Sequence, residues 1–301
     1  MVRKLLGVMA LAFVATAGVV LMMIEPSLAK GVQGLATDWQ LGLQEPASPV
    51  AEEIIKFYDW VTLIIVAIAI FVLVLLVYVV VRFNEKANPT PSTTTHHTLL
   101  EVAWTVLPIL VLVLIAVPSF KLLYLQYSYP KPDVVIKATG SQWYWSYAYP
   151  DHGDFEFDAQ MLDDDERAEL IDEGIPAPRN LATDNEVVVP VNKVVHVLVT
   201  ASDVLHNWTV QSLGSKIDAV PGRTTATWFK ATKEGVFYGQ CSELCGKDHA
   251  FMPIVVRAVK EDVFNAWAKD MEDEDEDTAL ELIRSVALEQ ANGSRLAVNA
   301  D

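Results

Sequence analysis

Both cysteines of this 301-residue chain fall in one short segment, Cys241-Ser242-Glu243-Leu244-Cys245-Gly246-Lys247-Asp248-His249-Ala250-Phe251-Met252. Thiolate, thioether and imidazole form a soft donor set that suits copper better than the oxygen-loving cations. A mononuclear blue-copper centre uses one Cys, two His and a weak axial Met, so the second Cys is one thiolate too many for it. Two four-coordinate coppers present eight positions, of which two bridging thiolates fill four. Two His, one Met and one carbonyl would complete the set. The segment supplies His249 and Met252, and the strongest candidate for the second imidazole is His206 in Asp203-Val204-Leu205-His206-Asn207-Trp208. The carbonyl could be that of Glu243, between the cysteines. The competing reading of the pair is a disulfide, the usual state of paired cysteines in exported proteins; His249, Met252 and His206 weigh toward metal.

Further motifs lie in a fixed order along the chain: Glu101-Val102-Ala103-Trp104-Thr105, Gln142-Trp143-Tyr144-Trp145-Ser146-Tyr147, Asp218-Ala219-Val220-Pro221-Gly222-Arg223 and Tyr238-Gly239-Gln240-Cys241. With the copper segment they resemble subunit II of the haem-copper cytochrome c oxidases, of the bacterial aa3 type, from about Phe57 to about Val259. That resemblance implies a dinuclear copper A centre held by the side chains of His206, Cys241, Cys245, His249 and Met252 and by the main-chain carbonyl of Glu243. The Glu243 carboxylate would instead face a magnesium shared with subunit I. Trp143 becomes the aromatic contact through which electrons arrive, Asp158, Asp184 and Asp203 the acids that dock a basic cytochrome c, and Glu101 the mouth of a proton path into subunit I. One acid is missing, because Ala148 stands where relatives often carry Glu. His96 and His97 read as plain loop histidines.

The implied function is to accept electrons from cytochrome c and pass them to haem in subunit I, where oxygen is reduced and protons are translocated. The chain would then be an oxidoreductase and translocase subunit whose oxygen-reducing site lies in its partner. Expected partners are subunit I with its haem and copper B, subunit III, cytochrome c and the membrane; nothing points to nucleic acid. No Cys-x-x-Cys-His haem motif is present, so the chain carries no cytochrome domain of its own. Alternatives remain open. A quinol oxidase subunit would lack copper A, and the retained donors argue against it. An exported copper-delivery or storage protein leaves the membrane runs, Trp143 and the Glu101 motif unexplained. Nitrous oxide reductases use copper A as well, but nothing here resembles their large additional catalytic domain.

The elements that must position these residues are written in the hydropathy and charge. Hydrophobic residues make up 52 % of the chain, yet 39 acidic against 22 basic residues leave a formal net charge of −17. No charged residue occurs from Trp60 to Val81 or from Val102 to Phe120, and each run approaches the roughly 20 residues needed to cross a bilayer. Residues 54–126 are therefore expected to form a transmembrane helical hairpin. A third apolar run, Leu5 to Ile24, follows Arg3 and Lys4 and precedes Ser27-Leu28-Ala29. It predicts a signal peptide over 1–29, with a retained first membrane helix as the alternative. Residues 30–53 read as an exported lead-in. Arg82 and Lys86 in the short connection put that loop on the cytoplasmic side, and the bacterial inner membrane with a periplasmic C-terminal domain follows.

Beyond Lys131 short runs rich in Val, Tyr, Trp, Phe and Thr predict strands at Val134–Ala138, Trp143–Tyr149, Glu186–Val191, Val194–Thr200, Thr224–Lys230, Val236–Gln240 and Met252–Val259. So many short strands between Pro, Gly and Asp clusters favour an antiparallel sandwich. The resemblance makes residues 127–260 an all-β cupredoxin-like sandwich or barrel carrying copper A, with the cysteine loop between its last two strands and His206 on another strand edge. An acidic insertion, Asp163 to Asn185, holds a short helix from Asp164 to Asp172 and no metal donor. Residues 261–301 form an acidic extension with an unbroken acidic run, Glu272 to Asp277, and helical spacing from Thr278 to Gln290; a solvated, partly disordered tail is expected there.

Overall fold

The computed structural model describes residues 34–37 and 39–299. The expected signal peptide over 1–29 lies outside the described residues. Residues 36–42 belong to a small unit of their own, in which the Thr37 amide donates to Gln40 Oε1 at 3.0 Å. All that follows concerns the larger unit.

Helix α1 spans Pro49–Arg82. Ser48 caps it by accepting the Ala51 amide at 3.0 Å, and Pro49 occupies the first turn, where its missing N–H costs nothing. At 34 residues it is about 51 Å long. Helix α2, Thr98–Gln126, returns beside it. Both helices carry large apolar side chains on open surface, among them Phe71, Leu73, Leu112 and Phe120. Apolar surface of that extent belongs in lipid, and these are the two helices long and apolar enough to cross a membrane among the described residues.

The strands form a sandwich. A five-stranded sheet runs β3-β2-β1-β5-β8, from β1 (Val134–Ser141), β2 (Tyr144–Ala148), β3 (Glu156–Ala159), β5 (Val195–Ala201) and β8 (Thr225–Phe229). A three-stranded sheet places β10 (Pro253–Val259) between β4 (Val187–Pro190) and β9 (Gly235–Gln240), and β6 (His206–Val210) pairs with β7 (Ser215–Ala219). In β5 alternation sends Val195, Val197 and Val199 inward. Trp145, Tyr147, Trp208, Phe229 and Phe237 fill the core, with Trp208 Nε1 donating to the Tyr147 hydroxyl at 3.2 Å. The sheets are mixed rather than antiparallel throughout: β1 and β5 run parallel, as do β4 and β10. Side-chain alternation reports which face of a strand is buried but not its direction, which the connections decide. Strands β3, β6 and β7 were not among the expected ones; each is four or five residues long and puts polar side chains at alternate positions.

The C-terminal extension corrects the expectation of a partly disordered tail. It forms helices α4 (Glu261–Glu272) and α5 (Glu276–Asn299), which pack on each other and on the sandwich. The acidic insertion forms α3 (Asp164–Asp172), started by a capping box between Asp163 and Glu166. Phe264, Trp267 and Ala268 of α4 are buried, and Trp267 meets Tyr149 and Phe155 edge to face at 5.2 and 5.5 Å. Helix α5 buries Ala279, Ile283 and Ala287, one turn apart. Gln290 accepts from Arg257 Nη1 at 2.9 Å, and Arg257, 3 % exposed on β10, makes a two-pronged ion pair with Glu186.

The membrane hairpin is fastened to the sandwich at both ends. Ser48 Oγ donates to the Leu213 carbonyl at 2.7 Å, Thr232 N to Ala47 O at 2.8 Å, and Trp228 Nε1 to the Gln126 carbonyl at 3.0 Å. Gly214, at φ +69°, lets the start of α1 come so close that a Cβ there would lie 2.8 Å from the Ala51 amide nitrogen.

Because α4 packs through its aromatic face, Trp267→Ala should destabilise the sandwich by about 3–5 kcal/mol. Thermal unfolding of the detergent-solubilised chain measures this; an unchanged midpoint would mean that the extension does not contribute to the fold.

Candidate metal centre

Strands β9 and β10 pair through Gln240 and Pro253, and the twelve-residue segment between them is closed by Cys241 N donating to Met252 O at 3.4 Å. The segment is thus a loop on a rigid two-strand base. Its cysteine sulfurs stand 3.9 Å apart, far beyond the roughly 2.05 Å of a disulfide. A metal bonded to both at about 2.3 Å, the length of a zinc–thiolate bond, permits at most about 4.6 Å between them. The separation therefore suits two thiolates that share a metal. Cys241, Cys245 and Met252 are 6 %, 3 % and 1 % exposed, so water is largely excluded from the sulfurs.

The nitrogen donors face the same place. His206 opens β6, is fully buried, and points Nδ1 at Cys241 Sγ across 3.9 Å. His249, half-buried in a short 3-10 turn, points Nδ1 at Cys245 Sγ across 3.5 Å. Met252 Sδ lies 3.5 Å from Cys245 Sγ, and the Glu243 carbonyl lies 3.3 Å from Cys241 Sγ while the residue itself is exposed. The ligand atoms of His206, Cys241 and Cys245 all lie within 4.8 Å of one another. Sulfur, imidazole and one carbonyl in a dry pocket are donors that fit copper.

The surroundings fix the donors. Asp203 Oδ1 accepts His206 Nε2 at 2.9 Å, which commits that nitrogen to the carboxylate and leaves Nδ1 free to bind. Trp145 packs edge to face on the His206 ring at 6.0 Å. The ring also lies on β1 where Gly140 has no side chain; a Cβ there would be 2.9 Å from His206 Cγ. Asn207 O accepts the Ser242 amide at 3.1 Å, and Asn207 Nδ2 reaches Asp218 Oδ1 at 2.7 Å, tying the loop to β6 and β7.

Burial raises the proton affinity of both thiols. At Cys241 hydrogen bonds with His206 and with the backbone of Asn207 and Glu243 outweigh burial and lower it to about 7; at Cys245 burial and the neighbouring Cys241 thiolate push it up to about 12. Cys241 is thus the thiol that ionises more readily, and a cation that binds both sulfurs displaces the protons that remain. Burial alone would raise Asp203, but its bonds from His206 and from the Val204 and Gln142 amides hold it below the usual carboxylate range.

Of the other expected site residues, Trp143 adjoins this loop. It is half-buried at the start of β2, and a Cβ on Gly246 would lie 3.1 Å from its Cζ2. The three expected docking acids are exposed but engaged. Asp158 accepts Ser146 Oγ at 2.5 Å, and Asp184 accepts the Gln160 and Asn185 amides at 2.7 Å each. Asp158 and Asp184 meet through Asn185, whose Nδ2 donates to Asp158 O, whereas Asp203 serves the metal-facing histidine. Glu101 is not brought to the centre. It lies in the first turn of α2, accepting the His97 amide at 3.3 Å, and the helix from there to Gln126 is about 38 Å long. His96 and His97 stand in the loop before it, with His97 capping the helix through Nδ1. Sequence reasoning passed over Gln142, Asn207, Gly140 and Gly246. Gln142 and Asn207 did stand beside singled-out residues, in Gln142-Trp143 and His206-Asn207.

Residues 134–259 match the family model of the periplasmic domain of cytochrome c oxidase subunit II, and residues 36–122 match that of its transmembrane domain. The probable cytochrome c oxidase subunit 2 of Rickettsia bellii is 49 % identical over 229 residues, covering 76 % of this chain and 83 % of that protein. Cytochrome c oxidase subunit 2 of Cereibacter sphaeroides is 47 % identical over 238 residues, covering 75 % of this chain and 78 % of that protein. Among solved structures, the periplasmic domain of subunit II of the Bradyrhizobium japonicum cytochrome oxidase aligns with 48 % of this chain and 97 % of its own length, at 56 % identity and a TM-score of 0.44. With both its membrane helices and its strand domain matched, and relatives sharing nearly half its residues over most of their length, this membrane-anchored, cupredoxin-like chain belongs to the cytochrome c oxidase subunit II family.

Proposed function

We propose that this chain accepts electrons one at a time from cytochrome c at a dinuclear copper A centre and passes them to haem in subunit I of a cytochrome c oxidase, where oxygen is reduced and protons are translocated. The observation that carries the reading is the convergence of Cys241, Cys245, His206, His249 and Met252 on one water-poor pocket beside Trp143. His206, Cys241, Cys245, His249, Met252 and the Glu243 carbonyl would hold the two coppers. When bound, copper A supplies a one-electron store that changes charge with little change in ligand positions.

The protein's own part is to keep those positions. The β9–β10 base holds the loop closed, Asp203 and Trp145 fix the His206 ring, and the buried core bars water from the sulfurs. Pre-set geometry of this kind removes reorganisation at the moment of transfer. Trp143 lies against the loop one residue from Cys245, which supports its part as the contact where electrons arrive. A net charge of −17, with Asp158, Asp184 and Asp203 at the surface, favours a basic cytochrome c through steering that salt weakens. The exposed Glu243 carboxylate would share a magnesium with subunit I, and subunit III would complete the assembly.

Arg82 at the end of α1 and Lys86 just beyond it support a cytoplasmic connection and, with it, a copper domain in the periplasm of a bacterial inner membrane. Glu101 would then open a proton path from the cytoplasmic side. Its distance of about 38 Å from the helix end beside the sandwich keeps proton uptake apart from electron uptake.

Cys245→Ser should abolish the mixed-valence copper signal in electron paramagnetic resonance while the sandwich keeps its circular dichroism; a retained signal would remove Cys245 from the ligands. Trp143→Ala should slow electron arrival on the order of 10²-fold, as misplacement of about 1 Å does in other reactions, with little loss of cytochrome c binding. Stopped-flow mixing with reduced cytochrome c measures both, and an unchanged rate takes Trp143 off the path. Glu101→Gln should lower steady-state turnover and leave the copper spectrum intact; normal turnover would count against proton uptake there.

A further inference from the structure

We infer that Gln142 is a positioning residue for electron transfer: it clamps the Trp143 segment to the cysteine loop and so sets the gap between the Trp143 indole and Gly246. The inference rests on the role proposed above for Trp143.

Gln142 is held at two points. Its backbone amide donates to Asp203 Oδ2 at 2.7 Å, and its side-chain Nε2 donates to the carbonyl oxygen of Cys245 at 2.7 Å. The first bond ties the residue to the carboxylate that also orients His206; the second ties it to the main chain of a thiolate residue. Trp143 follows directly in sequence, so its backbone, from which the indole reaches the loop, cannot drift away without stretching one of these bonds. The loop in turn offers a bare face. A Cβ on Gly246 would lie 2.9 Å from Gln142 Nε2, 3.1 Å from Trp143 Cζ2 and 3.3 Å from Trp143 Nε1, so both side chains lie on the peptide backbone itself. Gly246 also has φ +130°, a conformation that glycine adopts and other residues resist. Contact at that glycine puts the indole one residue from Cys245.

Coupling between groups that are not bonded falls steeply with their separation. A residue that fixes this gap therefore acts on the rate of transfer without touching the electron donor or any metal. Gln142 is exposed and adjoins Trp143, the proposed point of electron arrival, so a role in donor binding is the rival explanation. The two differ in what they change: a clamp alters the rate within the docked complex, and a docking residue alters affinity.

The test uses the assembled oxidase with Gln142→Met, which keeps length without a donor, and Gln142→Asn, which keeps the donor but is one methylene short of Cys245 O. Stopped-flow at low salt yields the first-order rate within the cytochrome c complex and the dissociation constant, and electron paramagnetic resonance reports on the copper ligands. Both variants should lower the first-order rate about tenfold or more, given that about 1 Å of misplacement can cost on the order of 10²-fold, while affinity and copper spectrum stay unchanged. Gly246→Ala should act in the same direction. Unchanged rates in both Gln142 variants while Trp143→Ala is slow would overturn the clamp and leave the Trp143 role standing. Unchanged rates in Trp143→Ala too would overturn the reading on which the clamp rests. Slowing that comes only with lost copper or an altered copper spectrum would assign Gln142 to the ligand loop and likewise overturn the inference.

Discussion

Two buried sulfur atoms 3.9 Å apart impose the constraint that the rest of the site answers. Negative charge in an apolar interior is expensive unless it is paired, and two thiolates at that distance also repel one another. The chain offsets part of this at Cys241 through the facing His206 ring and the backbone of Asn207 and Glu243, while burial beside Cys241 raises the proton affinity of Cys245. Nothing in an ordinary core would favour such an arrangement. It is stable as a metal site because the β9–β10 base, the Asn207–Ser242 bond and the Asp203–His206 bond hold the donors in place from three directions.

That rigid end is connected to a second, distant one. The start of α1 and the end of α2 are hydrogen-bonded into the sandwich, so the hairpin leaves the copper domain as a fixed stalk rather than a tether. The two membrane helices then carry the chain to Glu101 and back. The proposed sites of electron and proton uptake thus lie at opposite ends of one continuous structure, and the spacing between them is a matter of helix length.

The chemistry was legible because rare residue types crowd together: both cysteines, a histidine and a methionine in one segment leave few explanations. The membrane helices were legible for the opposite reason, an unbroken absence of charge. Strand direction was not, since the parallel pairing of β1 with β5 follows from connections that periodicity does not encode. The extension was misread because its buried positions in α5 are mostly alanines, Ala279 and Ala287 beside Ile283, whose weak apolar signal is swamped by the acids around them. Trp267 and Phe264 in α4 were the available clue. Asp203 showed only its charge in the sequence; its bond to His206 depends on the turn that leads into β6. Gln142 drew no notice because an amide beside a tryptophan has no chemistry until the fold brings Cys245 to it.

The central claim is that two sulfurs hold two coppers as one electron carrier. Metal analysis of the purified chain together with its electron paramagnetic resonance spectrum tests it most directly. The account predicts two coppers per chain and a hyperfine pattern from one unpaired electron spread equally over both nuclei. One copper per chain with the four-line pattern of a single nucleus, or Cys241 and Cys245 joined as a disulfide in the active oxidase, would contradict it.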